Sequence, residues 1–353
     1  MIAALVVLVA GGAVYLGLSR HSHAPAATHR ARVSPGPTAL SLPPEPDGIA
    51  GLTLAWNRTL RLPAAGTRPV WFSPASGRSE QIVGLPADRS GYQFSRVVGG
   101  WAVQASPAAP GACGGCAGPP APVWFLPDGA RSVTMVGTAN LVAPAATAGA
   151  VWLTSYAPGA TMATAAGTAR EAGAGTPARP LTLPPGYAIA KGTDRGLLLA
   201  PVSRQPGAAD KLWDPATAQT SQAFHGVLAA SPGKIALASR CAPRCGVQVL
   251  DLATGKHTAV ALPMGNTPTS GAFSPDGKFL ALQVSFGNTG DGLAMQLQVA
   301  STATGRLTAV PGTWVSSDAL VGFGWPAGGD SLVAEFNFTT KTELASWRPG
   351  ASH

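Results

Sequence analysis

Phe273-Ser274-Pro275-Asp276-Gly277-Lys278-Phe279-Leu280-Ala281-Leu282-Gln283-Val284 is the stretch on which the reading of this chain turns. Asp276-Gly277 is the tip of a tight turn, since Gly accepts the positive φ that such turns demand. The apolar run Phe279 to Val284 behind it reads as a strand. Met295-Gln296-Leu297-Gln298-Val299-Ala300 supplies a further strand, Thr304-Gly305-Arg306 a turn, and Leu307-Thr308-Ala309-Val310 an outer strand. Counting the strand that leads into the turn, four antiparallel strands fit into about 40 residues, the size of one propeller blade.

The same order recurs upstream. Val227 to Ala230, Lys234 to Ala238, Val247 to Leu252 and Thr258 to Leu262 form a second unit, with Thr254-Gly255-Lys256 as its last turn. Further units begin at Tyr187, near Asn140 and near Tyr92. Both ends are incomplete. Ala319 to Trp325, Ser331 to Phe336 and Glu343 to Trp347 are three strands with no fourth, and the N-terminal part holds Leu52 to Trp56, Thr59 to Leu62, Val70 to Phe72 and Gln81 to Leu85. A ring that does not close exposes strand edges, so an N-terminal strand is expected to complete the last blade. The expectation is an all-β chain forming a single β-propeller of seven four-stranded blades over residues 48–353, with six blades as the alternative.

Composition agrees. Charged residues are 11% of the 353, whereas Gly (44) and Pro (33) make up more than a fifth, which suits short strands and tight turns rather than solvated helices. The formal charge of +8 raises nucleic acid as a partner, but the basic residues are scattered and do not interleave with aromatics. No nucleic-acid partner is expected.

Ile2 to Leu18 carries no charge and is long enough, at about 1.5 Å per residue, to come close to crossing a bilayer core as a helix. It lacks the positive flank of a secretory signal, which fits a start placed too late, and Ala24-Pro25-Ala26 is a weak cleavage site. Residues 1–20 are therefore expected as a transmembrane anchor more than a cleaved signal, and residues 21–47, rich in Pro and Ala, as a disordered stalk. The propeller then lies outside the cytoplasm on a single-pass cell-membrane protein, or is secreted if the segment is cleaved.

Phe273-Ser274-Pro275-Asp276-Gly277-Lys278-Phe279-Leu280-Ala281 resembles the repeat signature of TolB-type and WD-repeat-like propellers, and Val123-Trp124-Phe125-Leu126-Pro127-Asp128-Gly129 echoes part of it. The Gly-His pair of true WD repeats is missing ahead of Trp213-Asp214, so the likeness is to a TolB-like, actinobacterial-type propeller. That resemblance implies a fold and no particular reaction. Asp251-Leu252-Ala253-Thr254-Gly255-Lys256 is similar to turns of quinoprotein propellers, but Val260 and Leu262 stand where their tryptophan would be, so no cofactor is expected.

Chemistry-bearing residues are sparse. Cys113 and Cys116, and Cys241 and Cys245, form two close pairs. Three blades separate them, too far for one metal with sulfur ligands at about 2.3 Å, so two local disulfides are expected and no metal site. His225 and His257 have no carboxylate or thiol in ligand spacing, and neither a nucleophile elbow nor a phosphate loop is present. Phe273, Ser274, Pro275, Asp276 and Gly277 are read as structural, and the tryptophans as packing between blades. No catalytic residue is assigned.

Both cysteine pairs, and the long insertions Ser106 to Ala121, Ser155 to Pro180, Ser203 to Asp210 and Ser285 to Leu293, fall between the second and third strands of their units. In a propeller these connections share one face, and rigidly held loops are where binding concentrates. The functional expectation is a monomeric scaffold that binds a protein or an envelope component on this face. The competing class is an envelope hydrolase or lyase with its site at the tunnel mouth.

Overall fold

The computed structural model describes residues 8–10, 13–15, 39–40 and 50–349, apart from 56–57, 63–67, 74–77, 87–90, 107–114, 174–178, 204–207, 240, 242–243, 289–292, 312, 316–318, 326–330 and 339–340. Seven antiparallel sheets follow one another along the chain, each built on four consecutively hydrogen-bonded strands. Sheet 1 comprises Ala50–Ala55, Arg58–Leu62, Val70–Ser73 and Arg78–Gln81; sheet 2, Tyr92–Val97, Gly100–Ala105, Ala121–Pro127 and Thr134–Ala139; sheet 3, Leu141–Pro144, Val151–Ser155, Thr168–Ala172 and Leu181–Thr182. Sheet 4 holds Tyr187–Thr193, Gly196–Pro201, Asp210–Asp214 and Gln219–Phe224, and sheet 5 Val227–Ala230, Lys234–Ala238, Gly246–Asp251 and His257–Ala261. Sheet 6, the one read first in the sequence, is Thr267–Phe273, Phe279–Asn288, Leu293–Ser301 and Leu307–Ala309, with Trp314–Val315 added beside Leu293–Ser301. Sheet 7 takes Ala319–Gly324, Leu332–Phe338 and Lys341–Trp347 from the C-terminal part, and its fourth strand is Ala39–Leu40, paired with Ala345 and Leu344. Two residues of the stretch read as a stalk thus enter the sheet.

The core lies between successive sheets, which is why second strands such as Gly100–Ala105, Val151–Ser155 and Gly196–Pro201 are buried along most of their length. Trp71 and Ile82 meet Trp101 and Trp124 across sheets 1 and 2. Val97 and Ala102 meet Val151 and Leu153 across sheets 2 and 3, and Trp152 meets Leu197 and Trp213 across sheets 3 and 4. Leu198 and Leu212 face Ile235 and Leu250, Val249 and Leu262 face Leu280 and Leu282, and Met295 and Leu297 face Trp325 and Trp347. Trp71, Trp101, Trp124, Trp152, Trp213, Trp325 and Trp347 are all buried, each contributing about 2–3 kcal/mol by leaving water. The architecture is β-propeller-like and all-β.

Three strand readings need correction. The stretch Ser285 to Leu293 is not a loop insertion throughout, because Ser285 to Asn288 extend the strand Phe279–Asn288 and Leu293 opens Leu293–Ser301, the two pairing as far as Asn288 with Leu293. The fourth strand of sheet 1 is Arg78–Gln81, not Gln81 to Leu85. As the outermost strand it stays mostly exposed and needs no apolar face, while Ile82 and Leu85 fold under to pack beside Trp71. The stretch Ser155 to Pro180 is not one insertion, because Thr168–Ala172 runs through it as the third strand, pairing Leu153 with Arg170.

Residues Leu8–Ala10 and Ala13–Tyr15 pair as a two-stranded hairpin. Most of the expected anchor and stalk lies outside the described residues, and no described helix is long and apolar enough to cross a membrane.

Candidate functional site

Antiparallel succession puts the connections of each sheet at two ends. Those from first to second and third to fourth strand lie at one end; those from second to third strand, and from each sheet to the next, lie at the other. Several of the first kind are tight turns held by carboxylates. The Asp251 carboxylate accepts hydrogen bonds from the Ala253 and Thr254 amides at 3.1 and 3.0 Å and from the Thr254 hydroxyl at 2.9 Å. Its pKa is held below the usual range by these Thr254 bonds and by nearby Lys234. Asp214 repeats the device with the Ala216 amide and the Thr217 hydroxyl, which lower its pKa likewise. At Asp276 partial burial pushes upward, but hydrogen bonds from Ser274 and Lys278 outweigh it and the net shift is downward.

Asp128 at this end receives a two-point contact from Arg96, at 2.5 and 2.8 Å. Gly129 and Gly277 have φ of 73° and 67°, so both Asp-Gly pairs are the tight turns their sequence implies. Ser274 donates to Asp276 at 2.7 Å and accepts the Phe279 amide at 2.9 Å, and Gly277 accepts from Thr302 of the third-to-fourth turn. The signature Phe273-Ser274-Pro275-Asp276-Gly277 is thereby tied into the architecture.

The opposite end carries the loops. Those of sheets 2 and 3 are stitched together: the Ala117 amide donates to Ala160 O and the Gly159 amide to Ala117 O, both at 2.8 Å, and Cys116 bridges Thr161. Asn140, between the two sheets, donates through Nδ2 to Gly118 O and accepts the Tyr156 amide on Oδ1, each at 2.8 Å. The Tyr156 hydroxyl donates to Tyr187 O at 3.0 Å, and burial pushes its pKa up to about 12. That phenol is a structural donor. Asn140 and Tyr156 were not singled out in the sequence, because a lone Asn or Tyr at a sheet boundary carries no spacing signal.

Further round this end, Cys241 and Cys245 are disulfide-bonded, with their Cα atoms 4.0 Å apart. Cys116 is also disulfide-bonded, and Cys113 lies outside the described residues. The Cys245 Sγ lies 3.6 Å from the Thr267 hydroxyl, and Thr267 pairs with Ser285 of sheet 6. Beyond that pair the two long central strands of sheet 6 run on with no first-strand partner, Gly287 facing Ala294. Three large apolar side chains are exposed in this sector: Met264 at 71%, Leu293 at 44% and Phe286 at 39%. Arg244, also exposed, is the only charged residue described in the disulfide loop. His225 and His257 are exposed, and no described cluster of His, Cys, Asp or Glu could hold a metal ion.

No protein-family model matches the sequence, and no curated protein matches it. A chain from a structural and mechanistic analysis of two prolyl endopeptidases is similar in structure, with 11% identity and a TM-score of 0.51 over 82% of this chain. The match spans only 46% of that chain's length. A chain from the crystal structure of the mitotic checkpoint complex is also similar, at 11% identity and a TM-score of 0.48 over 94% of this chain and 99% of that one. At 11% identity the likeness to the prolyl endopeptidase chain concerns fold alone, and it agrees with a β-propeller-like succession of four-stranded antiparallel sheets.

Proposed function

We propose that the chain is a seven-bladed propeller of the TolB-like kind, closed by Ala39–Leu40, that binds a protein or envelope component on its loop-bearing face without catalysis of its own. The N-terminal apolar segment would hold it at the cell membrane, with the propeller on the extracytoplasmic side. The observation that carries the binding role is the exposed trio Met264, Phe286 and Leu293 beside the disulfide loop. Large apolar side chains gathered on one sector, on loops fixed to a rigid core, are what an interaction surface needs. At the other end the carboxylates Asp128, Asp251 and Asp276 are occupied in turns.

The test is affinity capture from envelope extract with the full chain and with a Met264→Ser/Phe286→Ser/Leu293→Ser variant of equal melting temperature. Loss of a captured partner in the variant supports the reading. Equal capture by both proteins places binding elsewhere and overturns it.

A further inference from the structure

Cys241 and Cys245 bridge a connection whose ends are already held. Ala238 pairs with Val247, and the Ser239 amide donates to Gly246 O at 2.9 Å, so the ladder of sheet 5 fixes both sides of the loop. The stabilising effect of a cross-link grows with the length of chain it encloses, and only three residues lie between these two cysteines. A disulfide set there adds little constraint to the fold.

The bond is also open to attack, and its two sulfurs are not equivalent. Cys241 is exposed, whereas Cys245 is half-buried. The Thr267 hydroxyl lies 3.6 Å from Cys245 Sγ, and since a disulfide sulfur carries no proton the hydroxyl is the donor. Arg244, exposed and fully charged, precedes Cys245 in the chain. A hydroxyl donor and a neighbouring cation both favour a thiolate at Cys245, which makes that sulfur the better leaving group. A nucleophile therefore meets the exposed Sγ of Cys241 and expels Cys245. Disulfides that are exposed are the ones that exchange, in contrast to those sealed in a core.

We propose that Cys241–Cys245 is a thiol–disulfide exchange site that takes a dithiol, the chemical class of a reduced cysteine pair. One thiolate of the dithiol attacks Cys241 Sγ; a new S–S bond forms there, and the Cys241–Cys245 bond breaks with its electron pair leaving on Cys245. The second thiolate then attacks the dithiol sulfur already bonded to Cys241, which closes the dithiol's own disulfide and releases Cys241 as a thiolate. The dithiol gives up two electrons and two protons, and the protein takes up both as two thiols. The reaction runs once per chain, so it adds a chemical step to the loop-bearing face without making the protein a catalyst.

Anaerobic incubation of the oxidised full chain with a reduced two-cysteine peptide tests this, read by alkylation and peptide mass mapping. The peptide should become oxidised, and Cys241 and Cys245 should carry the alkyl label. Cys241→Ser/Cys245→Ser should melt as the wild-type chain does and oxidise the peptide at least about tenfold more slowly. Thr267→Val should slow the exchange and Thr267→Ser restore it, because only the hydroxyl stabilises the departing thiolate. Unlabelled Cys241 and Cys245 in the wild-type chain, or undiminished peptide oxidation by the variant lacking both cysteines, would overturn the site. Neither outcome touches the loop-face reading, which stands or falls on capture by the Met264, Phe286 and Leu293 variant.

Discussion

Asn140 is the residue whose removal should cost the loop-bearing face most. Asn140→Ala deletes the hydrogen bond donated to Gly118 O and the one accepted from the Tyr156 amide, both 2.8 Å long and partly shielded from water. At about 1 kcal/mol for each bond, with some added cost for the partners left unpaired, the loss is about 2–3 kcal/mol. Unfolding entropy near 2.1 cal/mol/K per residue over a domain of roughly 300 residues converts this to a fall of about 3–5 °C in Tm. The Asn140 amide still donates to Thr154 O, so the chain path survives and the effect should stay local. Calorimetry gives the first number, and amide exchange at Tyr156 and Ala117 tests the mechanism, since both should exchange faster while Val249 in sheet 5 does not. A Tm within 1 °C of wild type, or unchanged exchange at Tyr156, would refute Asn140 as the link between the loops of sheets 2 and 3.

Three further outcomes follow from the turn end. Ala218 holds φ of 56° where Gly255 and Gly305 hold 69° and 71° in equivalent turns, so Ala218→Gly should raise stability by about 0.5–1 kcal/mol in urea unfolding. Gly305→Ala should cost more than Gly255→Ala, because a Cβ at 305 would lie 2.0 Å from Ala259 O whereas one at 255 meets open space. Asp251 and Asp276 have folded pKa values below their unfolded ones, so their stabilising effect is present above about pH 4 and is lost as pH falls through the depressed values. Asp251→Asn/Asp276→Asn should therefore lower Tm at neutral pH and narrow the gap to wild type at about pH 2; an undiminished gap there would contradict the ionic origin of the effect.

What the sequence could say depended on where each strand sits. Phe279 to Val284 and Lys234 to Ala238 are second strands with buried partners on both sides; the latter matches the observed element, and the former starts where the observed strand does, which runs on past Val284 to Asn288. Arg78–Gln81 and Gln219–Phe224 are outermost strands, so nothing requires them to be apolar and pattern reading slides past them. Thr168–Ala172 hides for a different reason: Thr-Ala-Arg-Glu-Ala is poor in β-branched and aromatic residues, and its place is set by pairing with the stronger Val151–Ser155. The bulge at Ala190 is a break in the pairing of Tyr187–Thr193 with Gly196–Pro201, which no local spacing records. The loop-bearing face was legible as a set of insertions; the apolar character of its sheet 6 sector was not, because Phe286 and Leu293 read as part of the insertion Ser285 to Leu293, whereas they lie on the two long central strands with their side chains exposed.

The layers between sheets have a consequence for how this protein can change. Each layer asks only for apolar side chains that fill it, tryptophan among alanines in one, as with Trp152 beside Ala143, Ala145, Ala150 and Ala169, and leucine, valine and alanine alone in another. A demand so loosely worded is met by very many sequences. Mutation can therefore exchange one solution for another with little loss of packing, and in time erase the spelling while the sheets stay in place. An 11% identity beside a TM-score of 0.51 fits an architecture that fixes little of its sequence. The same tolerance leaves the loops free to be rewritten, so what distinguishes one chain of this architecture from another should be sought in its connections.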